Sequence, residues 1–293
     1  MNFTGTYTAI VTPFHNGQLD ENALERIIKL QIKGGVDGIV PVGTTGESPT
    51  VDTAEHIRII ELAVKFAGGK IKVLAGTGGN ATSEAIHLTQ AAEKAGADGS
   101  LQVAPYYNKP TQEGLFQHFR AISRATKLPI VLYNVPGRCG VEISIDTVKR
   151  LAREYKNIVG IKESGGSCDR VSQLRAALGE NFTILSGDDS LTLPFMSVGA
   201  HGVVSVASNV IPKEVSQMVK LFATGKATAA IRLHEKYYPL FKDLFIETNP
   251  TPVKAALAMM KLIQEEYRLP LVPMNPKNWE ALRTTLKRCN VLE

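Results

Sequence analysis

Two hydrophobic patterns alternate along this chain. Eight short apolar runs rich in β-branched residues fall at 7–14, 38–43, 72–77, 100–105, 130–135, 158–163, 183–187 and 202–207. Between them, stretches such as 21–33, 53–66, 83–94 and 113–125 space their apolar residues as an amphipathic helix does. Strands that read as apolar runs, separated by helices of about ten to fifteen residues, imply βαβ units and a parallel sheet. A weak internal repeat marks the joints. Gly35-Val-Asp-Gly38, Gly96-Ala-Asp-Gly99 and Gly199-Ala-His-Gly202 each follow a helix and precede a strand. Glycine there can end a helix in the left-handed conformation and turn the chain tightly. The recurring unit is one helix and one strand, and eight such units close a barrel. After Ile211 the pattern changes: 218–222, 231–245, 252–263 and 279–286 read as helices with no strand between them. The expected fold is α/β, a (β/α)8 TIM barrel over residues 1–224 with a C-terminal helical appendage over 225–293.

Composition narrows the functional classes. A length of 293 residues suits a single α/β barrel. The formal net charge is +5, with no tract of Lys and Arg and no basic stretch interleaved with aromatics. Nucleic-acid binding therefore has no sequence support. Three cysteines, Cys139, Cys168 and Cys289, form no Cys-x-x-Cys motif, which fits a reducing compartment. Residues 1–12 lack a basic region followed by a long apolar stretch, and no apolar run reaches the roughly 20 residues that cross a bilayer. A cytoplasmic protein with no membrane partner is expected.

In such barrels the chemistry lies at the carboxyl ends of the strands. The second strand ends in Gly43-Thr-Thr-Gly-Glu47, where paired hydroxyls and free N–H groups can hold a carboxylate. The third runs into Gly76-Thr-Gly-Gly-Asn-Ala81, which matches a dinucleotide-binding glycine pattern. The acidic residue expected at the end of the next strand is missing, since that strand ends in Ala104-Pro105. The fourth strand leads into Tyr106-Tyr-Asn108, and the fifth ends in Tyr133-Asn-Val-Pro-Gly-Arg138. Arg138 can clamp a carboxylate with its planar fork. The sixth, Ile158-Val-Gly-Ile-Lys-Glu163, gives the sharpest signal: Lys162 stands inside an apolar strand. Alternation puts Gly160, Lys162 and Ser164 on one face, beside Tyr133 on the neighbouring strand. Lysine is seldom buried without a reason. Desolvation favours the neutral form of an amine, which is the nucleophile. Asp188 and Asp189 end the seventh strand and suit a helix N-cap and first turn. The six histidines form neither His-x-His nor His-Glu-x-x-His, so no metal site is expected.

Taken together, Gly43-Thr-Thr-Gly-Glu-Ser48, Pro105-Tyr-Tyr-Asn108, Tyr133-Asn-Val-Pro136 with Arg138, and Gly160-Ile-Lys-Glu163 resemble the dihydrodipicolinate synthase family. That family lies within the pyruvate-dependent lyase superfamily. The resemblance runs over essentially the whole chain, including Ser186-Gly-Asp-Asp189 and the C-terminal helices. It implies that Lys162 forms a Schiff base with pyruvate, which then condenses with L-aspartate 4-semialdehyde, and that no cofactor is needed. Tyr133, Thr45 and Tyr107 would relay protons, Tyr107 reaching across a dimer interface. Thr44, Thr45, Arg138, Gly187 and Val204 would bind substrates, and the assembly would be a homotetramer of two tight dimers. Arg138 resembles the synthases more than the sugar-acid lyases that share the lysine and tyrosine. The resemblance also places an inhibitory lysine site at Ser48, His56, Asn80, Glu84 and Tyr106. Cys139, Pro49 and Thr53 depart from the family's pattern.

Overall fold

The computed structural model describes residues 3–293. Eight parallel strands close a barrel: β1 (Gly5–Ala9), β2 (Gly38–Val40), β3 (Lys72–Gly76), β4 (Gly99–Val103), β5 (Ile130–Asn134), β6 (Ile158–Glu163), β7 (Thr183–Ser186) and β8 (Gly202–Ser205). Each strand pairs with its sequence neighbours. β1 closes the ring by pairing with both ends of the series, Tyr7 opposite Gly38 on one side and Val204 on the other.

The helices form where the amphipathic pattern places them, and each has a local reason to begin and end. In α1 (Glu21–Gly34) the Asp20 carboxylate accepts from the Ala23 N–H at 2.9 Å, satisfying a donor the helix leaves free. Its inward face is Ala23, Leu24, Ile27, Ile28 and Gln31. Burying each leucine or isoleucine there contributes about 1.5–3 kcal/mol. Gln31, the polar member of that face, accepts from the Thr8 hydroxyl at 2.7 Å. Gly35 ends α1 at φ 72°, and Gly96 ends α3 (Thr82–Ala95) at φ 87°. The repeated glycines thus supply the left-handed caps the sequence suggested.

The first strand is the main difference from the sequence pattern. It starts at Gly5 and stops at Ala9, although the apolar run continues to Phe14. Phe14–His15 instead pairs antiparallel with Gln18–Leu19 in a small hairpin. Residues 10–13 stay buried without forming a ladder, so burial alone produced the strand-like pattern there. The C-terminal region forms α8 (Pro212–Ala223), α9 (Ala227–Asp243), α10 (Thr251–Met259) and α11 (Pro276–Arg288), after α2 (Thr53–Ala67), α4 (Gln112–Arg124), α5 (Ile145–Glu154), α6 (Cys168–Leu178) and α7 (Thr192–Ser197) on the barrel. Leu240, Phe241, Val253 and Leu257 share one hydrophobic cluster with Ile10, Ile27, Ile39 and Val73. The C-terminal helices are packed onto the barrel rather than hung from it. Among the described residues no helix is long and apolar enough to cross a membrane.

Candidate active site

Lys162 and Tyr133 stand side by side at the carboxyl end of the barrel. The ladder between β5 and β6 sets Tyr133 directly opposite Lys162, and both side chains are only 7% exposed. The Lys162 Nζ lies 4.0 Å from the centre of the Tyr133 ring. Lys162 takes part in no ion pair among the described residues. The next residue, Glu163, points to the outer face and is fully buried. It bonds Arg170 Nε at 2.8 Å, Asn134 Nδ2 at 2.9 Å and the Gly165 N–H at 2.7 Å. Period-two alternation therefore separates the two charges. The carboxylate anchors the strand end from outside while the amine faces the barrel mouth.

A cavity of about 230 Å³ opens over this pair. Its walls include Thr44, Thr45, Tyr133, Arg138, Lys162 and Gly187, all singled out by the sequence. Gly187 is required by close approach: a Cβ there would lie 1.8 Å from Ser164 Oγ and 2.9 Å from Lys162 Cε. The Thr45 hydroxyl accepts from Asn249 Nδ2 at 3.0 Å, which leaves its own proton free to donate. Arg138 Nη2 donates to the Asn249 carbonyl at 3.2 Å. Most of its five-donor fork stays available for a carboxylate.

Asn249 and Phe245 line the same cavity and were not anticipated. Both come from the stretch between α9 and α10, far along the chain, where nothing in the local pattern suggests chemistry. Val204 is buried in the core at 1% exposure and does not line the cavity, whereas Val206 does. Tyr107 is 90% exposed and outside the lining of its own chain's cavity. Its φ of 72° is left-handed, a conformation strained for a tyrosine.

The capping reading of Asp188 and Asp189 is corrected. Asp189 does not cap a helix at its own position. Its carboxylate accepts from the Val206 and Ala207 N–H groups at 3.0 and 2.9 Å and also from the Ser205 hydroxyl, tying β7 to the turn after β8. Burial raises its pKa to about 6. Asp188 turns back locally, its Oδ1 accepting from Ser190 N and Oγ at 2.8 Å. Gly76 and Gly78 of Gly76-Thr-Gly-Gly-Asn-Ala81 are required by close approach of neighbouring backbone. A Cβ on Gly76 would fall 2.6 Å from the Val42 carbonyl, and one on Gly78 2.3 Å from Val103 N. Among the described residues no group of three His, Cys, Asp or Glu is placed to hold a metal ion.

A second cavity of about 210 Å³ adjoins the first, sharing Thr44, Tyr133 and Arg138 and adding Ser48, Pro49, Tyr106 and Cys139. His56 Nε2 bonds the Gly76 carbonyl at 2.8 Å, and Asn80 Nδ2 donates to the Tyr106 carbonyl at 3.2 Å. Burial, with Glu84 adding to it, raises the Tyr106 pKa. Of the five positions expected for lysine, Ser48 and Tyr106 line this cavity, while Asn80 is bonded to Tyr106 and His56 to Gly76. Cys139 is buried, and its thiol points to the Ala104 carbonyl at 3.1 Å. Burial raises that thiol to about 11, so it fills space and is a poor nucleophile.

A sequence profile described as the Dihydrodipicolinate synthetase family matches residues 2–289. The chain belongs to this family. It is 51% identical to the 4-hydroxy-tetrahydrodipicolinate synthase of Aquifex aeolicus (strain VF5), over 99% of this chain and 98% of that one. The solved structure of the synthase from Methylacidiphilum fumariolicum SolV superposes with a TM-score of 0.98 at 62% identity, covering 99% of this chain and 96% of that one. The dihydrodipicolinate synthase of Cyanidioschyzon merolae, solved with lysine bound, gives 0.96 at 41% identity and covers 99% of both chains. Dihydrodipicolinate synthases of known structure are thus similar to the whole of the described chain, C-terminal helices included.

Proposed function

We infer that this chain acts as a 4-hydroxy-tetrahydrodipicolinate synthase, a lyase that condenses pyruvate with L-aspartate 4-semialdehyde in lysine and diaminopimelate biosynthesis. The observation that carries the mechanism is the buried Lys162 amine, held over the Tyr133 ring at the floor of a cavity that also holds two threonine hydroxyls and a guanidinium. The neutral amine attacks the ketone carbon of pyruvate, and the tetrahedral adduct loses water to give a protonated imine. That imine withdraws electrons from the neighbouring methyl group, which releases a proton and becomes the carbon nucleophile of an enamine. The enamine attacks the aldehyde carbon, and the new alkoxide takes up a proton. The amino group of the semialdehyde then adds to the imine carbon, closes the ring and frees Lys162.

Tyr133 is the nearest phenol to the reacting nitrogen and serves as the proton carrier. Thr45, its lone pair occupied by Asn249, donates its proton towards the cavity. Thr44 and Thr45 hold the pyruvate carboxylate, with Gly187 leaving room for the lysine, and Arg138 binds the carboxylate of the semialdehyde. Tyr107 of a second copy completes the relay, so the working form is a dimer or a homotetramer made of two such dimers. Its exposed and strained setting supports a role outside its own chain. The protein works in the cytoplasm without an organic cofactor. The second cavity, lined by Ser48 and Tyr106, is the candidate for L-lysine, with His56, Asn80 and Glu84 as its expected outer residues.

The test is borohydride reduction in the presence of pyruvate, followed by peptide mass mapping. The expected result is one adduct on the peptide containing Lys162, absent from Lys162→Ala, which keeps its circular dichroism but loses turnover. An adduct elsewhere, or turnover by Lys162→Ala, refutes the assignment.

A further inference from the structure

Glu47 and Lys254 form an ion pair in which both side chains are fully buried. Such a pair is a poor source of stability. Two ions lose their hydration, and well-packed apolar residues of the same volume often serve as well or better. Burial pushes the Lys254 ammonium below its usual pKa, while the Glu47 carboxylate opposes that shift. The pair therefore calls for a reason other than stability, and its location supplies one.

Glu47 closes the turn that begins at Gly43 and carries Thr44 and Thr45. It sits at φ 55°, and Val42 at the start of the turn sits at φ 52°. Left-handed backbone at a β-branched residue is costly and persists only where surrounding contacts over-determine it. Those contacts are on both sides of the turn. The Thr12 hydroxyl donates to the Gly46 carbonyl at 2.7 Å, and the Thr50 hydroxyl to the Glu47 carbonyl at 3.0 Å. The Glu47 carboxylate takes the Lys254 ammonium on one oxygen and the Arg268 N–H, at 3.3 Å, on the other. Lys254 Nζ lies 4.4 Å from the centre of the Phe14 ring, a cation–π contact that favours this position of the ammonium. Asn249, five residues before Lys254, holds Thr45. One C-terminal segment thus grips the turn at two points, the hydroxyl and the end of the loop.

We propose that the buried Glu47–Lys254 pair is a positioning device for pyruvate capture: it clamps the strained turn against the C-terminal helices and so fixes where the Thr44 and Thr45 hydroxyls point. Both members are positioning residues, since neither lines the cavity. The proposal rests on the pyruvate reading above, and the experiment separates the two. Full-length Lys254→Met, Glu47→Asp and, as a control, Leu151→Ala on α5 are compared by the rate of pyruvate trapping with borohydride, the KM for pyruvate and the melting temperature. If the parent traps no pyruvate, the functional reading fails, and the proposal with it; if the parent traps it, the variants judge the clamp alone. In Lys254→Met the trapping rate falls by about tenfold or more and the KM for pyruvate rises, as for a misplaced binding group. Should Lys254→Met not fold, Glu47→Asp carries the test. It keeps both charges, but its shorter stem draws the turn towards the ammonium, and trapping slows several-fold at a near-parental melting temperature. Leu151→Ala removes buried apolar volume elsewhere, melts earlier and traps at the parental rate. A folded Lys254→Met or Glu47→Asp that traps pyruvate at the parental rate overturns the proposal. So does a loss in Leu151→Ala that matches theirs.

Discussion

Replacing Gly187 by alanine tests the site through a single added carbon. The new Cβ would lie 1.8 Å from Ser164 Oγ and 2.9 Å from Lys162 Cε, where carbon contacts relax at about 3.5–4.0 Å. The serine hydroxyl can rotate away. The lysine cannot give way without moving its amine by roughly 0.6–1 Å, taking the contact deficit as the displacement. A shift of about 1 Å in a reacting group costs on the order of 10²-fold in rate, whereas overpacking of this kind costs about 1–3 kcal/mol of stability. Gly187→Ala should therefore remain folded with a slightly lower melting temperature, while kcat and the rate of pyruvate trapping both fall by about two orders of magnitude. The double variant Ser164→Gly with Gly187→Ala removes the shorter contact and leaves the one to Lys162. It should recover the melting temperature but not the rate. The assay is a coupled turnover measurement beside borohydride trapping and a thermal melt. A Gly187→Ala enzyme with parental kcat would show that the amine is not held where the geometry puts it. Full recovery of rate in the double variant would show that Ser164, not Lys162, was the group disturbed.

Other consequences follow from the same geometry. Tyr133→Phe keeps the ring beneath the amine but removes the hydroxyl, so kcat should drop by about 10²–10⁴-fold with the adduct still forming slowly; an unchanged kcat in steady-state assays would remove Tyr133 from the relay. His118 is buried beside the Thr82 hydroxyl, and burial lowers its pKa from 6.5 to about 4. Its neutral form is favoured by the fold, so its contribution is complete above pH 6.5 and is lost as pH falls from 6.5 towards 4, by roughly 3 kcal/mol at most. Urea midpoints at pH 7 and pH 4.5 should differ less in His118→Gln than in the parent, and equal differences would contradict the assignment. Titration with L-lysine should inhibit turnover if the cavity beside Ser48 and Tyr106 receives it; activity that persists at millimolar lysine rules that site out.

The sequence by itself determined the barrel and most of its chemistry. A repeat of one helix and one strand covers both faces of a parallel sheet with helices, and eight such units close a ring more naturally than they extend an open sheet. Lys162 was legible because a charged residue within an apolar run contradicts its surroundings, and Tyr133 because the strand period puts it on the same side. Burial without a ladder was not legible: residues 10–13 carry strand-like apolarity but lie outside the barrel, since periodicity records what is buried and not what it pairs with. Nor was the division of labour at Asp189, whose partners Val206 and Ala207 belong to another strand end. Asn249, Phe245 and Lys254 were the least visible. Their neighbours in sequence are helices facing the core, and their roles arise only when α10 and the segment before it dock across the mouth and meet Thr45, Arg138 and Glu47, some two hundred or one hundred residues away. Local pattern encodes each element's period and burial. Which distant elements meet, and so which polar groups become partners, is decided by how the helices pack around the closed ring.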